Sequence, residues 1–233
     1  DRRHAMAPKL LVSFALAGLA VACGSAATTS APVSPDRAAA PAVDTDKDGA
    51  ITGRDLLDRR VGDVAVYRFS GTYRTDPITI TEEIRAREGK EFVIDYTIAS
   101  GVETARFRVR RTVSAFEIAS VARLDGTTEM PVDRAEFEAW IEQTAFSADA
   151  NVGRLSRKEE TCLVGEIAHD CTVARYRVVV EDEPAILTVA TSADLPGRDV
   201  GGVIEAQDGG VIYRAELVEL QRGSSAVSAR AAR

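Results

Sequence analysis

The chain has little of the chemistry on which most enzymes depend. It holds two histidines, three cysteines and one tryptophan among 233 residues. It contains no GxSxG nucleophile motif, no phosphate-binding P-loop and no zinc-binding HExxH motif. His169 stands beside Asp170 and Cys171 without a nucleophile motif, so we interpret it as a surface histidine. We expect a protein that is not an enzyme, although glycosidase-type acid pairs, which are distant in the chain, stay open as an alternative.

An excess of positive charge is also missing. The formal net charge is −7, and removing residues 1–22, with three basic residues and one acidic residue, makes it −9. An acidic surface argues against nucleic acid as a partner. We interpret the adjacent acidic residues as strand ends and turns; they are Glu82-Glu83, Glu159-Glu160 and Glu181-Asp182-Glu183.

No apolar run is long enough to span a membrane. The longest, Leu10 to Ala22, follows Met6 and Lys9 and contains only apolar or small residues. That length fits the hydrophobic region of a secretory signal peptide rather than a transmembrane helix. We therefore predict that residues 1–22 are a signal peptide.

The signal peptide ends in Ala20-Val21-Ala22-Cys23, which resembles the lipobox of bacterial lipoproteins. The resemblance implies cleavage before Cys23, a lipid on that cysteine, and attachment to a membrane. Because Gly24 follows in place of the aspartate that retains enteric lipoproteins at the inner membrane, it implies an outer-membrane location. An ordinary signal peptide cut after Ala22 is the alternative.

The two other cysteines then lie in an oxidising compartment. Cys162 and Cys171 are nine residues apart, with a turn expected between Gly165 and Ala168. We predict a disulfide that closes this hairpin. A metal or redox site is the weaker alternative, because the sequence has no CxxC motif.

Residues 23–43, after the lipid anchor, are rich in Gly, Ser, Ala, Thr and Pro. This composition predicts a flexible tether. Residues 223–233 are small and basic, which predicts a disordered tail.

A twelve-residue run, DTDKDGAITGRD, matches the spacing of a calcium-coordinating loop. Alternate carboxylates precede a glycine at the sharp turn, and the seventh position offers its backbone carbonyl. The predicted calcium ligands are Asp44, Asp46, Asp48, Ala50, Thr52 and Asp55. A short helix over 54–61, ended by Gly62, is expected to follow, so that residues 44–62 form one unit.

The loop resembles EF-hands, and dockerin repeats more closely, since those also end in Asp and lack a full entering helix. Only one loop is present, which disfavours cohesin binding. The resemblance implies a bound Ca²⁺ that braces the segment locally, with affinity on the order of 10⁻⁴–10⁻³ M. A solvated acidic turn that caps a helix is the alternative.

From residue 63 to 222 the apolar residues alternate with a period of two, which predicts an antiparallel β domain. The expected strands are 63–73, 77–87, 91–99, 102–112, 115–123, 157–165, 171–181, 185–192, 202–207 and 211–220. A two-residue loop at Ser100-Gly101 would pair Ile94 with Phe107 and Asp95 with Arg106. A three-residue loop at 88–90 would pair Ile84 with Ile94 and Ala86 with Phe92. We interpret the Arg106-Arg108-Arg110 row as a solvated face whose arginines pair with acidic neighbours.

One helix interrupts the strands, over 133–145. Asp133 can cap it with Glu136 as a capping box, and Phe137, Trp140 and Ile141 form an apolar stripe. We expect the stripe to pack on the sheet; lining a cavity for an apolar ligand is the alternative.

These elements predict a mainly β (α+β) fold, a curved antiparallel sheet or half-barrel with one helix packed on the concave face. The layout is similar to the LolA-like lipoprotein carriers, while closed barrels and sandwiches remain alternatives. We expect a cell-envelope lipoprotein that acts as a binding or structural module, with an apolar ligand or a protein as partner. A LolA-like carrier and an unrecognised hydrolase are the second and third hypotheses.

Overall fold

The computed structural model describes residues 10–12, 59–113, 117–195 and 199–223, which contain thirteen strands and one helix. The strands are β1 (Leu10–Val12), β2 (Val64–Ser70), β3 (Ile78–Glu88), β4 (Glu91–Ser100), β5 (Glu103–Thr112), β6 (Ile118–Asp125), β7 (Thr128–Pro131), β8 (Phe146–Ala148), β9 (Ala150–Val164), β10 (Ile167–Val180), β11 (Glu183–Thr191), β12 (Asp199–Ala206) and β13 (Val211–Gln221). The helix, α1, spans Arg134–Glu142.

Eleven of these strands form one antiparallel sheet in the order β7-β6-β5-β4-β3-β2-β13-β12-β11-β10-β9. Strands β2 to β7 form one meander and β9 to β13 another, and the pairing of β2 with β13 joins the two. β1 pairs with β8 in a separate two-stranded ladder. The large sheet is open rather than closed, so the predicted fold class, a curved antiparallel sheet with one helix, is confirmed.

Alternation of apolar and polar residues builds the main core. Ile78, Ile80 and Ile84 of β3 are almost completely buried, whereas the residues between them are partly exposed, apart from Glu82. The same alternation in β4 and β5 buries Tyr96 and Phe107. Because successive side chains of a strand point to opposite faces, one face of the sheet collects these residues into the core.

The β4–β5 hairpin turns one residue later than predicted. Its loop is Gly101-Val102, so Ile94 pairs with Val109, and Asp95 pairs with Arg108 rather than Arg106. The predicted pairs were therefore wrong by two residues. The faces were nevertheless correct, because a shift of two residues keeps every side chain on its original face.

Helix α1 is capped and packed as its sequence predicts, with two corrections. Asp133 accepts a hydrogen bond from the Ala135 backbone N–H at 2.8 Å, but Glu136 pairs with Arg123 at 3.1 Å instead of completing the capping box. The helix ends at Glu142, three residues before the predicted end.

The apolar stripe of α1 serves as core. The Phe137 ring lies 5.0 Å from the Tyr96 ring and 5.5 Å from the Phe107 ring, and Phe137 is fully buried. Trp140 is partly buried against the same cluster. The helix thus packs directly on the sheet at these rings, which supports the core interpretation over the cavity alternative.

The chain that leaves α1 also crosses the core face. The Tyr213 hydroxyl donates to the Thr144 carbonyl at 3.0 Å, and the Phe146 ring stacks on Tyr213 at 5.4 Å. Burial, and then the neighbouring Tyr73, raises the pKa of Tyr213 well above its ordinary value. These contacts join the helix segment to β13.

The arginine row lies on the opposite, solvated face, as predicted. Arg108 donates to both carboxylate oxygens of Asp95 at 2.7 Å and to Glu129 at 2.7 Å. The hydrogen bond to Asp95 is the main cause of a raised pKa of Arg108, and the bond from Arg108 lowers the pKa of Glu129. Arg108 and Arg110, which lies 3.5 Å from Glu129, therefore meet acidic neighbours, whereas Arg106 donates to the Gly126 carbonyl at 3.5 Å.

Candidate binding groove

The β9–β10 hairpin bends so that its tip reaches another part of the sheet. Its two-residue turn is Gly165-Glu166, and Gly165 has a φ of +59°, a left-handed value that favours glycine. A Cβ built on Gly165 would lie 3.5 Å from the Val218 carbonyl oxygen. The tip therefore lies next to β13, three strands away from β10 in the order of the sheet.

A second, smaller apolar cluster holds the hairpin in this position. Its buried members come from the hairpin, from β12 and β13, and from the segment between β11 and β12: Val164, Cys171, Val173, Leu195, Val200 and Leu217. We call this group the tip cluster. It is separate from the main core under α1.

An open groove of about 430 Å³ lies between the hairpin tip and strands β11 to β13. Its lining is mostly apolar or glycine: Leu163, Gly165, Thr188, Ala190, Val200, Gly201, Gly202, Val203, Ala215, Glu216, Leu217 and Val218. The volume falls within the range of small-molecule sites, about 300–1,000 Å³. The groove is therefore large enough for an apolar molecule of modest size.

Glycines and bulges give the groove its shape. A Cβ on Gly201 would lie 2.7 Å from the Ala215 carbonyl oxygen, so only glycine allows β12 to approach β13 there. Val200 is an extra residue in the β11–β12 pairing, and Val218 is one in the pairing of β13 with β2. Because a bulge bends and twists its strand, these two residues curve the strands that carry the groove.

Among the described residues that line the groove, one is ionisable, Glu216, which pairs with Arg214 at 3.0 Å. Thr188 adds one hydroxyl. Within the described ranges, no group of three or more His, Cys, Asp or Glu side chains is placed to hold a metal ion. The arrangement supplies an apolar surface with one polar margin, which suits binding by shape and apolar contact.

The predicted disulfide partners are free thiols in this structure. In the β9–β10 ladder Cys162 pairs with His169 and Cys171 with Glu160, so the two cysteines share a face but sit diagonally. The cause is the two-residue turn, since the expected turn over Gly165–Ala168 would have placed them opposite each other. Diagonal Cα atoms are about 7–8 Å apart, beyond the usual disulfide range. The disulfide between Cys162 and Cys171 stays a prediction.

Burial is the main cause of a raised pKa of Cys171, about 12, and the hydrogen bond with Cys162 adds to it. The Cys171 thiol is thus closed off and protonated at neutral pH. This matches a structural cysteine rather than a reactive one.

The other predicted sites lie outside the described residues. These are Cys23, the calcium ligands Asp44, Asp46, Asp48, Ala50, Thr52 and Asp55, the tether and the C-terminal tail. The predicted helix over 54–61 can be judged only at its end, where residues 59–61 are not helical. Of the helices that the structure describes, none combines the length and apolar character of a membrane span.

A buried polar contact that the sequence did not predict lies where the described β domain begins. Glu82, which we had interpreted as a strand end, is 3% exposed in the middle of β3 and pairs with Arg59, which is 8% exposed. Asp63 is 5% exposed and accepts from the backbone N–H groups of Arg60 and Gly223, both within 2.9 Å. Strict alternation with Ile80 and Ile84 was the available signal that Glu82 faces inward.

No protein-family model matches the chain, and no curated protein does. Several solved structures have some similarity. The hypothetical protein CT021 from Chlamydia trachomatis is 10% identical with a TM-score of 0.41, covering 74% of this chain and 94% of that one. A putative exported protein with a YmcC-like fold from Bacteroides fragilis is 9% identical with a TM-score of 0.34, covering 70% and 97%.

MucB is similar at the same remote level, at 11% identity and a TM-score of 0.35 over 76% of this chain and 60% of that one. It has also been solved in complex with MucA(peri). Similarities with TM-scores and identities this low carry no argument about function. The function of this chain has to be argued from its own residues.

Proposed function

We propose that this protein is a non-catalytic binding module of the bacterial cell envelope that holds a neutral apolar molecule in the groove beside the tip cluster. The observation that carries the proposal is the open groove of about 430 Å³, whose described lining is mostly glycine and apolar side chains with one hydroxyl and one carboxylate. Apolar area removed from water provides about 25 cal/mol per Å² of favourable free energy. A groove of this lining therefore favours a ligand with little charge.

The sequence supplies the setting of the proposal. The signal peptide and the lipobox-like Cys23 support a lipid-anchored module at the outer membrane, carried on the tether over 23–43. The Asp44–Asp55 loop supports a calcium ion as a local brace between tether and domain. Neither feature is needed for the groove to bind its ligand.

The test uses N-phenyl-1-naphthylamine, a neutral apolar dye whose fluorescence rises when it leaves water. The dye is excited at a wavelength longer than those that tryptophan absorbs. The wild-type chain should bind it saturably. Thr188→Trp places an indole in the groove and should weaken binding by at least about tenfold, equivalent to about 1.4 kcal/mol. Thr81→Trp, at a half-buried position of β3 outside the groove, is the matched control and should bind like wild type.

An absence of saturable binding by the wild type would overturn the proposal. Equal loss in both variants would mean that the substitution, rather than the groove, is responsible. Thermal unfolding of each variant confirms that the comparison is made between folded proteins.

A further inference from the structure

Strand β9 is a long exposed edge. It lies at the end of the large sheet, and in the described part of the chain it pairs with β10 on one side only. It spans 15 residues, and eight consecutive ones, Arg154 to Thr161, are exposed. The opposite edge, β7, has only four residues. An edge of this length offers a row of backbone donors and acceptors to another strand.

The edge also carries exposed apolar side chains. Val152, Leu155 and Leu163 of β9 are 53%, 46% and 67% exposed. Together with Ile167 of β10, they supply most of the large exposed apolar side chains in the described residues. Apolar groups concentrated along one edge favour a protein partner there.

The charges of β9 indicate what kind of partner fits. Its centre reads Arg157-Lys158-Glu159-Glu160, two bases followed by two acids. An edge of one sign would repel a second copy, whereas here the base Arg157 and the acid Glu159, two residues apart, can face each other across an antiparallel pair of copies. Charge complementarity of this kind selects partner and register.

Geometry restricts the register. A two-fold axis normal to the sheet keeps each side chain on its own face, so paired positions must be both odd or both even. The two-residue turn makes Val164 and Ile167 a hydrogen-bonded pair, so alternate residues from 157 to 163 point their N–H and C=O groups outward. Arg157 and Glu159 are both among these outward residues.

We propose that β9 pairs antiparallel with β9 of a second copy, around an axis at Lys158. Arg157 then faces Glu159 of the partner subunit, and the pair occurs twice by symmetry. Lys158 meets its counterpart beside its own Glu160, with which it already pairs. Glu159 is held on its face by the Thr172 hydroxyl, which donates to it at 2.9 Å.

The pairing segment is short. Leu155 and Val152 are bulge residues, each skipped in the pairing of β9 with β10. Because bulges bend a strand, β9 bends before Ser156. The continuous ladder is therefore centred on Ser156 to Glu160. We expect a weak dimer whose population rises with protein concentration and falls with salt.

Sedimentation velocity of the full chain over a concentration series, from low to several hundred micromolar, tests the proposal. Arg157→Glu places acids against acids, and Glu159→Arg places bases against bases. Each variant should raise the dimer dissociation constant by at least about tenfold, equivalent to about 1.4 kcal/mol. Glu103→Arg, an exposed position of β5, is the control and should dimerise like wild type.

An equimolar mixture of the two edge variants restores both ion pairs and should form a heterodimer. Formation of the heterodimer would show that each variant is folded and had lost only the ability to pair with itself. A wild-type chain that stays monomeric throughout the series overturns the proposal. A dimer that survives in both variants, or a mixture that stays monomeric, also excludes this edge and register.

Discussion

The main core under α1 and the tip cluster are built from the same sheet but in different ways. The main core stacks aromatic rings from the helix, the central strands and β13, and most of its members are essentially fully buried. The tip cluster has smaller side chains, mostly Val and Leu, and borders an open groove. Stability in this molecule is therefore concentrated in one cluster, and accessible apolar surface lies beside the other.

The difference follows from what covers each cluster. The helix and the chain after it lie across the main core, with Phe137 and Tyr213 as contacts. The tip cluster is covered by the bent end of a hairpin and by Leu195 of the segment between β11 and β12, and its strands contain bulges at Val200 and Val218. Regions with few buried contacts open more easily than a packed core, and binding regions are drawn from them.

Truncating one residue in each cluster should produce the largest contrast. Phe137→Ala should destabilise the protein by about 3–5 kcal/mol, because it removes a buried ring and leaves a cavity between the helix and the sheet. Val173→Ala should cost roughly 1.5 kcal/mol, the transfer free energy of two buried carbons. Chemical denaturation measures both. Similar losses at the two sites would contradict the division into a stabilising core and a looser cluster.

Breaking the buried ion pair should have the next largest effect. Glu82→Gln leaves the buried Arg59 guanidinium without its carboxylate, and the expected cost is about 3 kcal/mol, at the lower end for a broken buried pair. Glu83→Gln, one residue along β3, removes an exposed pair with Arg85 and should cost about 0–1 kcal/mol.

The two adjacent substitutions are a matched test, because they remove the same charge from the two faces of one strand. Chemical denaturation at neutral pH gives both free energies of unfolding. If the two costs are equal, Glu82 does not contribute through burial, and the first residues of the described β domain are not tied to the main core.

The main core could be predicted from the sequence, whereas the groove could not. Ile94 and Phe107 were assigned to one face because alternation needs no knowledge of the exact turn. The predicted pair Ile84 with Ile94 was correct. The next predicted pair, Ala86 with Phe92, was wrong because the turn is the two-residue Gly89-Lys90 rather than 88–90, and a bulge at Arg85 then restores the pair of Ile84 with Ile94.

The groove depends on features that periodicity does not reveal. The first half of β9 was missed because its residues are exposed on both faces and do not alternate. β7 was missed because it is short and exposed. The contact of Gly165 with β13 joins residues distant in the chain, and its position follows from the bend of the hairpin and the bulges at Val200 and Val218.

The smallest expected contrast is in the rates at which the two thiols are modified. These rates report how easily a reagent reaches the tip cluster. Cys162 is partly exposed, whereas Cys171 is buried and its pKa is raised to about 12 by burial and by the Cys162 hydrogen bond. In the reduced protein at pH 8, iodoacetamide should modify Cys162 well before Cys171, as followed by peptide mass. Equal rates would mean that the cluster opens readily, and no reaction at either thiol before reduction would instead reveal the predicted disulfide.

The same pKa sets the sign of a pH effect on stability. The folded protein keeps the Cys171 proton to higher pH than the unfolded chain, whose thiol ionises near its ordinary value of 9.0. Above that pH the unfolded state binds fewer protons, so the free energy of unfolding should fall as pH rises toward 12. Cys171→Ala should flatten part of this alkaline decline, and Cys162→Ala should flatten less of it. If the alkaline fall in the free energy of unfolding is unchanged in Cys171→Ala, the buried tyrosines of the main core cause it, with Tyr213 the first candidate. The thiol of the tip cluster would then make no measurable contribution to it.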